Sequence, residues 1–156
     1  MQMMLKAYLQ IALLALGACT TTTQSTPTKY VRKTECHSGD RVQLQQECGY
    51  GYSEVMTDEN VYVVSFEGNS STSLERTTDF AILRCAQIAK DRVSLDIAVY
   101  ITETGVFSAT DEYGNDSNLP RTSVECEILE NLRRADSLTV ESVETKMREK
   151  YPQELL

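Results

Sequence analysis

Positive charge is scarce in this chain: 15 lysines and arginines stand against 23 aspartates and glutamates, for a formal net charge of −8. That balance argues against nucleic acid as a partner and against electrostatic adhesion to anionic surfaces. Histidine occurs once, as His37, and tryptophan not at all. His37 sits beside Cys36 with Asp40 nearby, but a cysteine committed to a disulfide offers no thiolate, so a Cys/His nucleophile pair is not expected there. The Gly-x-Ser-x-Gly elbow is missing, and Ser70 and Ser71 have no candidate base beside them. Gly-x-x-x-x-Gly-Lys and Gly-x-Gly-x-x-Gly loops are missing too, which removes the usual phosphate cradles. No catalytic residues, cofactor or metal site are therefore assigned, and the chain is not read as an enzyme. An apolar run long enough to cross a bilayer is also lacking.

What is present begins at the amino terminus. Lys6 precedes an apolar stretch from Ala7 to Ala18, interrupted by Gln10 and closed by Leu16-Gly17-Ala18-Cys19. Its length and small-residue end are those of a signal peptide rather than a membrane span. The tetrad resembles the lipobox of bacterial lipoproteins. The resemblance implies cleavage before Cys19, acylation of that cysteine (palmitate among the chains) and a membrane link through lipid. Residues 1–18 are then the signal peptide. Residues 19–29, which are rich in threonine, form a lipidated tether unable to bury anything. Residues 30–156 form one domain of comfortable size. In lipoproteins an aspartate after the cysteine often marks retention in the inner membrane. Thr20 occupies that place, so the outer membrane, facing the periplasm, is the expected address.

With Cys19 acylated, Cys36, Cys48, Cys85 and Cys126 remain in an oxidising compartment. They read as two disulfides, for which three connectivities are open. The favoured pairing is Cys36–Cys48 as a local staple and Cys85–Cys126 as a helix-to-strand staple. Zinc is the alternative, but the close Cys-x-x-Cys spacing typical of such sites is missing.

Further along, Tyr30 to Tyr52 reads as irregular structure, and Tyr62 to Phe66 as a strand that ends at Gly68-Asn69. Thr72 with Glu75 has the form of a capping box opening a helix that ends near Lys90-Asp91-Arg92. Leu95, Ile97, Val99 and Ile101 alternate as in a half-buried strand, with Val106 to Ala109 as a further stretch of it. Asp111 to Asn118 reads as a polar turn ended by Pro120. In the following strand, Val124, Cys126 and Ile128 share one face and Glu125 and Glu127 the other. Cys126 then points toward the helix that carries Cys85. Val140, Val143 and Met147 fall at helical spacing before Pro152. The order β-α-β-β-α predicts an α+β fold of two layers, a small, largely antiparallel sheet packed by two helices.

Gly51-Tyr52-Ser53, then Tyr62-x-Val64-x-Phe66-x-Gly68-Asn69, Thr72, and Phe80 leading to Leu83-Arg84-x-Ala86, form a recognisable series. It resembles a family of small Gram-negative envelope lipoproteins of unknown function that share the lipobox, the Gly-Tyr-Ser element and the Phe-x-Gly-Asn strand end. The likeness covers Gly51 to Gln87. The chain departs from it at Cys85 and Gln87, where the family more often has alanine and glutamate, and after Lys90. Read physically, Gly68 and Asn69 tolerate a left-handed backbone at a tight strand exit, and Thr72 caps the helix.

Two function classes follow. One is a lipid-anchored envelope protein with a non-catalytic structural or adaptor role and an envelope protein as partner. The other is a periplasmic ligand-binding module for peptidoglycan, a glycan or a metal. It would use Tyr50, Tyr52 and Tyr62 as an aromatic strip, or Asp111, Glu112, Asn115, Asp116 and Asn118 as oxygen donors.

Overall fold

The computed structural model describes residues 27–30, 32, 50–110, 114, 116–130 and 134–155. Cys19, and with it the lipidation, lies outside the described residues, as do Cys36, His37 and Cys48 and therefore the Cys36–Cys48 pairing. Asp111, Glu112 and Asn115 of the polar turn lie outside them as well.

The elements run β1 (Gly51–Asp58), β2 (Val61–Glu67), α1 (Leu74–Asp91), β3 (Asp96–Thr110), β4 (Asp116–Leu129), β5 (Leu138–Thr139) and α2 (Val140–Lys150). The five strands form one antiparallel sheet in the order β1-β2-β4-β3-β5, an α+β architecture as expected. α1 packs on β2, β3 and β4, and α2 packs beside α1. The core follows from period two meeting period 3.6. Val64 and Phe66 of β2, Ile97 of β3, and Val124, Cys126 and Ile128 of β4 point at the helix layer. Phe80, Ala81, Leu83, Cys85, Ala86, Ile88 and Ala89 of α1 meet them, and Val143 and Met147 of α2 complete the cluster. Cys85 and Cys126 are disulfide-bonded across this interface, with Cα atoms 5.9 Å apart and both side chains fully buried.

Several local expectations need correction. β1 lies within what reads as an irregular stretch and beyond it. Its helix-facing residues are Tyr52, Glu54 and Met56, so a carboxylate interrupts the apolar alternation that betrays a strand. Glu54 is tolerated there because Arg84 of α1 pairs with it. The N-cap of α1 is Ser73 rather than Thr72: the Ser73 hydroxyl accepts from the Arg76 amide at 3.2 Å. Glu75 instead pairs with Lys150 of α2. Asp116 to Asn118 and Pro120 lie inside β4 rather than in a turn. Pro120 pairs with Val106 of β3, and its carbonyl accepts from Gly68 at 2.9 Å, so its nitrogen faces the side where β2 has already ended. Nothing there requires the missing N–H.

Leu95 and Ile101 were expected on a buried face, yet both are exposed. Leu95 precedes β3, and Ile101 lies where β3 begins to run out from beneath the helices. An irregularity between Ile101 and Glu103 places Thr102 as an extra residue in the ladder. Beyond Pro120, β3 and β4 continue as a two-stranded arm as far as Thr110 and Asp116.

Candidate functional site: a strap and its cradle

Tyr52, Gly68, Asn69, Thr72 and Arg84 lie around one feature, a short strap of chain that includes Thr28, Tyr30 and Arg32. Thr28 is held by the strand exit after β2. Its amide donates to the Thr72 hydroxyl at 2.9 Å, and its own hydroxyl accepts from the Asn69 amide at 2.8 Å. Thr72 in turn donates to the Asn69 side-chain oxygen at 3.0 Å, so Asn69 and Thr72 grip the strap as a unit. The Thr28 carbonyl accepts from Arg76 Nε at 3.2 Å. Thr28 is buried, although composition alone places it in the tether.

Gly68 makes this grip possible, and by close approach rather than by a left-handed backbone. Neither Gly68 nor Asn69 has a positive φ, contrary to the reading from sequence. A Cβ on Gly68 would lie 2.4 Å from Thr72 Cβ and 2.8 Å from its hydroxyl oxygen. The described glycines whose φ does require that freedom are Gly51, at 116°, and Gly114, at 82°.

Two residues on, Tyr30 lies on an aromatic and ionic cradle. Its ring stacks on Tyr52 of β1 at 5.3 Å and meets Phe80 of α1 edge-on at 5.2 Å. Its hydroxyl donates to the Gln87 side-chain oxygen at 2.5 Å. Arg84 lies 5.0 Å over the Tyr52 ring, grips Glu54 with two nitrogens and also donates to Gln87 at 3.2 Å. Arg32 forms a parallel bridge with Tyr52, the strap's backbone contact with the sheet edge. Phe80 also meets Phe66 at 5.1 Å and Tyr151 at 4.8 Å, so the strap joins the central aromatic cluster. Arg76 extends the link to the carboxyl-terminal segment by its ion pair with Glu154.

The electrostatics of this region are those of fixation. Burial raises the pKa of Tyr30 above the ordinary phenol value, keeping it protonated. The hydrogen bonds from Arg84 hold the Glu54 carboxyl below its usual range, and Glu54 in return raises the guanidinium. On the far side of Phe80, Tyr151 donates to Asp79 at 2.8 Å, and burial first, then that bond, pushes its phenol up to about 12. Lys150 reaches the same Asp79 oxygen at 2.5 Å, which raises its ammonium. Each of these shifts secures the ionisation state that the group already has at neutral pH, so none of these groups is poised to exchange a proton there.

Of the residues singled out from sequence, Tyr52, Phe66, Gly68, Asn69, Thr72 and Arg84 take part in the strap, its cradle or the aromatic cluster behind it. Ser53 belongs to the opposite face of the sheet, paired with Ser65. Tyr62 faces the helix side but at the other end, where Arg92 donates to its hydroxyl at 2.8 Å. Tyr52 and Tyr62 therefore do not form an exposed strip on the open face, and Tyr50 is half-buried. Asp116 accepts from Thr110 at 2.6 Å and Asn118 from Ser108 at 3.3 Å, both as rungs of the arm. Among the described residues, no group of three or more His, Cys, Asp or Glu is placed to hold a metal, and no helix is long and apolar enough to cross a membrane.

Sequence reasoning missed Thr28, Tyr30 and Glu54. The available signal was Tyr30 itself, an aromatic residue closely following a threonine-rich stretch. Comparison with protein-family models, curated proteins and solved structures gives no match in any of the three. The likeness of Gly51 to Gln87 to small envelope lipoproteins thus rests on its motif residues alone.

Proposed function

We propose that the chain is a lipid-anchored protein of the outer membrane, facing the periplasm, with a non-catalytic structural or adaptor role. The observation that carries this reading is the use made of the motif. Its polar atoms bind the strap that follows the threonine-rich stretch after Cys19, and so fix where the domain hangs from its anchor. An active site leaves reactive groups facing a substrate, whereas Asn69, Thr72 and Arg84 face their own chain. The buried Cys85–Cys126 disulfide agrees with an oxidising compartment. Membership of the envelope lipoprotein family belongs to the same proposal.

The test is palmitate labelling of cells that produce the chain, with membrane fractionation and in-cell crosslinking. The reading predicts label lost in Cys19→Ala, sedimentation with the outer membrane, and a dominant envelope protein in the crosslinked material. Unlabelled protein recovered in the soluble fraction would refute the anchor. Enzymatic turnover abolished by a single substitution would refute the non-catalytic role.

A further inference from the structure

Thr28 of the strap is bound at the amino-terminal end of α1. The opposite end of that helix, about 27 Å away for 18 residues at 1.5 Å each, carries a surface that folding does not explain. α1 closes there with a Schellman-type turn. The Val93 amide donates to the Lys90 carbonyl at 2.9 Å, and the Ser94 amide to the Ala89 carbonyl at 2.8 Å. Such a turn needs one left-handed residue, usually glycine. Here it is Val93, at φ 60°, a β-branched residue in a region that β-branched residues avoid. The valine side chain returns nothing to the fold, since it is 90 % exposed, and Leu95 beside it is 78 % exposed.

The backbone that carries these two side chains is nevertheless held firmly. The Ser94 hydroxyl, buried between them, donates to the Leu129 carbonyl at 2.9 Å, and the Leu95 carbonyl accepts from the Val140 amide at 2.9 Å. The result is a rigid apolar ridge flanked by two hollows. One, of about 320 Å³, is bordered by Leu129 and Glu130; the other, of about 340 Å³, by Val140 and Glu141.

The charge around the ridge limits what can cover it. Asp91, Glu130 and Glu141 are exposed. Of the neighbouring cations, Lys90 is bonded to both oxygens of Glu144 at 2.9 Å, and Arg92 is turned to the Glu59 carbonyl and Tyr62. An acidic margin repels both anionic lipid and a second copy of the same acidic pole.

We infer that the Val93–Leu95 ridge is a docking site for a different protein, one whose surface offers an apolar hollow with a basic rim. The inference rests on the adaptor reading above and gives that adaptor its working face.

The experiment places a photo-reactive residue at position 95 of the full lipidated chain in intact cells, with position 55 on the open face of the sheet as control. The same cells are assayed for palmitate incorporation. A discrete protein adduct is expected from position 95 and not from 55. It should fall at least fivefold in Val93→Gly, which removes the side chain but suits the turn, and by a similar factor in Glu130→Lys/Glu141→Lys. An adduct with a second copy, an adduct with phospholipid, equal adducts from both positions, no adduct, or indifference to these substitutions would each overturn the docking site. Palmitate incorporation without the adduct refutes the docking site alone. The substitution-sensitive adduct without incorporation refutes the anchor alone.

Discussion

Cys85 and Cys126 lie 41 residues apart in sequence, and their bond closes a loop that contains the carboxyl-terminal part of α1, all of β3 and most of β4. Replacing both with alanine opens that loop in the unfolded chain while leaving the native neighbours in place. On the chain-entropy account, a loop of this length contributes about 4 kcal/mol at 25 °C. Emptying two fully buried sulfur positions adds roughly 1 kcal/mol of lost packing. The sum of about 5 kcal/mol is a large fraction of the stability of a domain this size and corresponds to a melting point roughly 15–25 °C lower. Urea unfolding of wild type, of reduced wild type and of Cys85→Ala/Cys126→Ala separates the two contributions, because reduction opens the loop without removing the sulfurs. Burial adds a kinetic expectation. A reductant reaches the bond only when the α1–β4 interface opens, so reduction in native buffer should proceed no faster than unfolding. Reduction within seconds in native buffer, or a loss below 1 kcal/mol in the double variant, would refute this placement of the bond.

Other perturbations probe the remaining contacts. Gly68→Ala forces a Cβ against Thr72 and should cost roughly 1–3 kcal/mol in urea titration, although no backbone angle there forbids alanine. Tyr30→Phe removes the hydrogen bond to Gln87 and should cost about 1 kcal/mol. The raised phenol of Tyr30 contributes stability that is complete below pH 10, its value in the unfolded chain, and is lost as pH rises toward the folded value. Melting curves from pH 8 to 11 should therefore fall above pH 10, and fall less steeply in Tyr30→Phe; a flat profile would contradict the burial of that ring. Val93→Gly should raise stability by about 1 kcal/mol, because glycine accepts the left-handed turn that valine strains.

Legibility in the sequence followed the regularity of the environment. β2, α1, the first half of β3, the second half of β4 and α2 all contribute to one apolar interface, and their periods of 2 and 3.6 show through. That same periodicity places Cys85 and Cys126 on facing surfaces, where the structure joins them. β1 was hidden because Glu54 interrupts its inner face, and only the partner 30 residues away, Arg84, makes that charge acceptable. The cap moved by one residue because Thr72 was already committed to Thr28, a long-range contact that no local window contains. Proline within β4 was misread for a similar reason: whether its missing N–H matters depends on where the neighbouring strand stops. What Asn69, Thr72 and Arg84 hold became visible only with the strap in place, since Thr28 and Tyr30 are separated from their hydrogen-bond partners by more than 40 positions.

The central claim is that the strap is part of the folded domain, held by Asn69, Thr72 and Gln87. Amide hydrogen exchange at Thr28 and Asn69 tests it directly, because each amide donates to a hydroxyl of the other side of the grip. Protection approaching that of the β2 amides, lost at both positions in Thr72→Ala while β2 stays protected, is the predicted result. Exchange at free-chain rates at Thr28 in the wild-type protein would contradict the account.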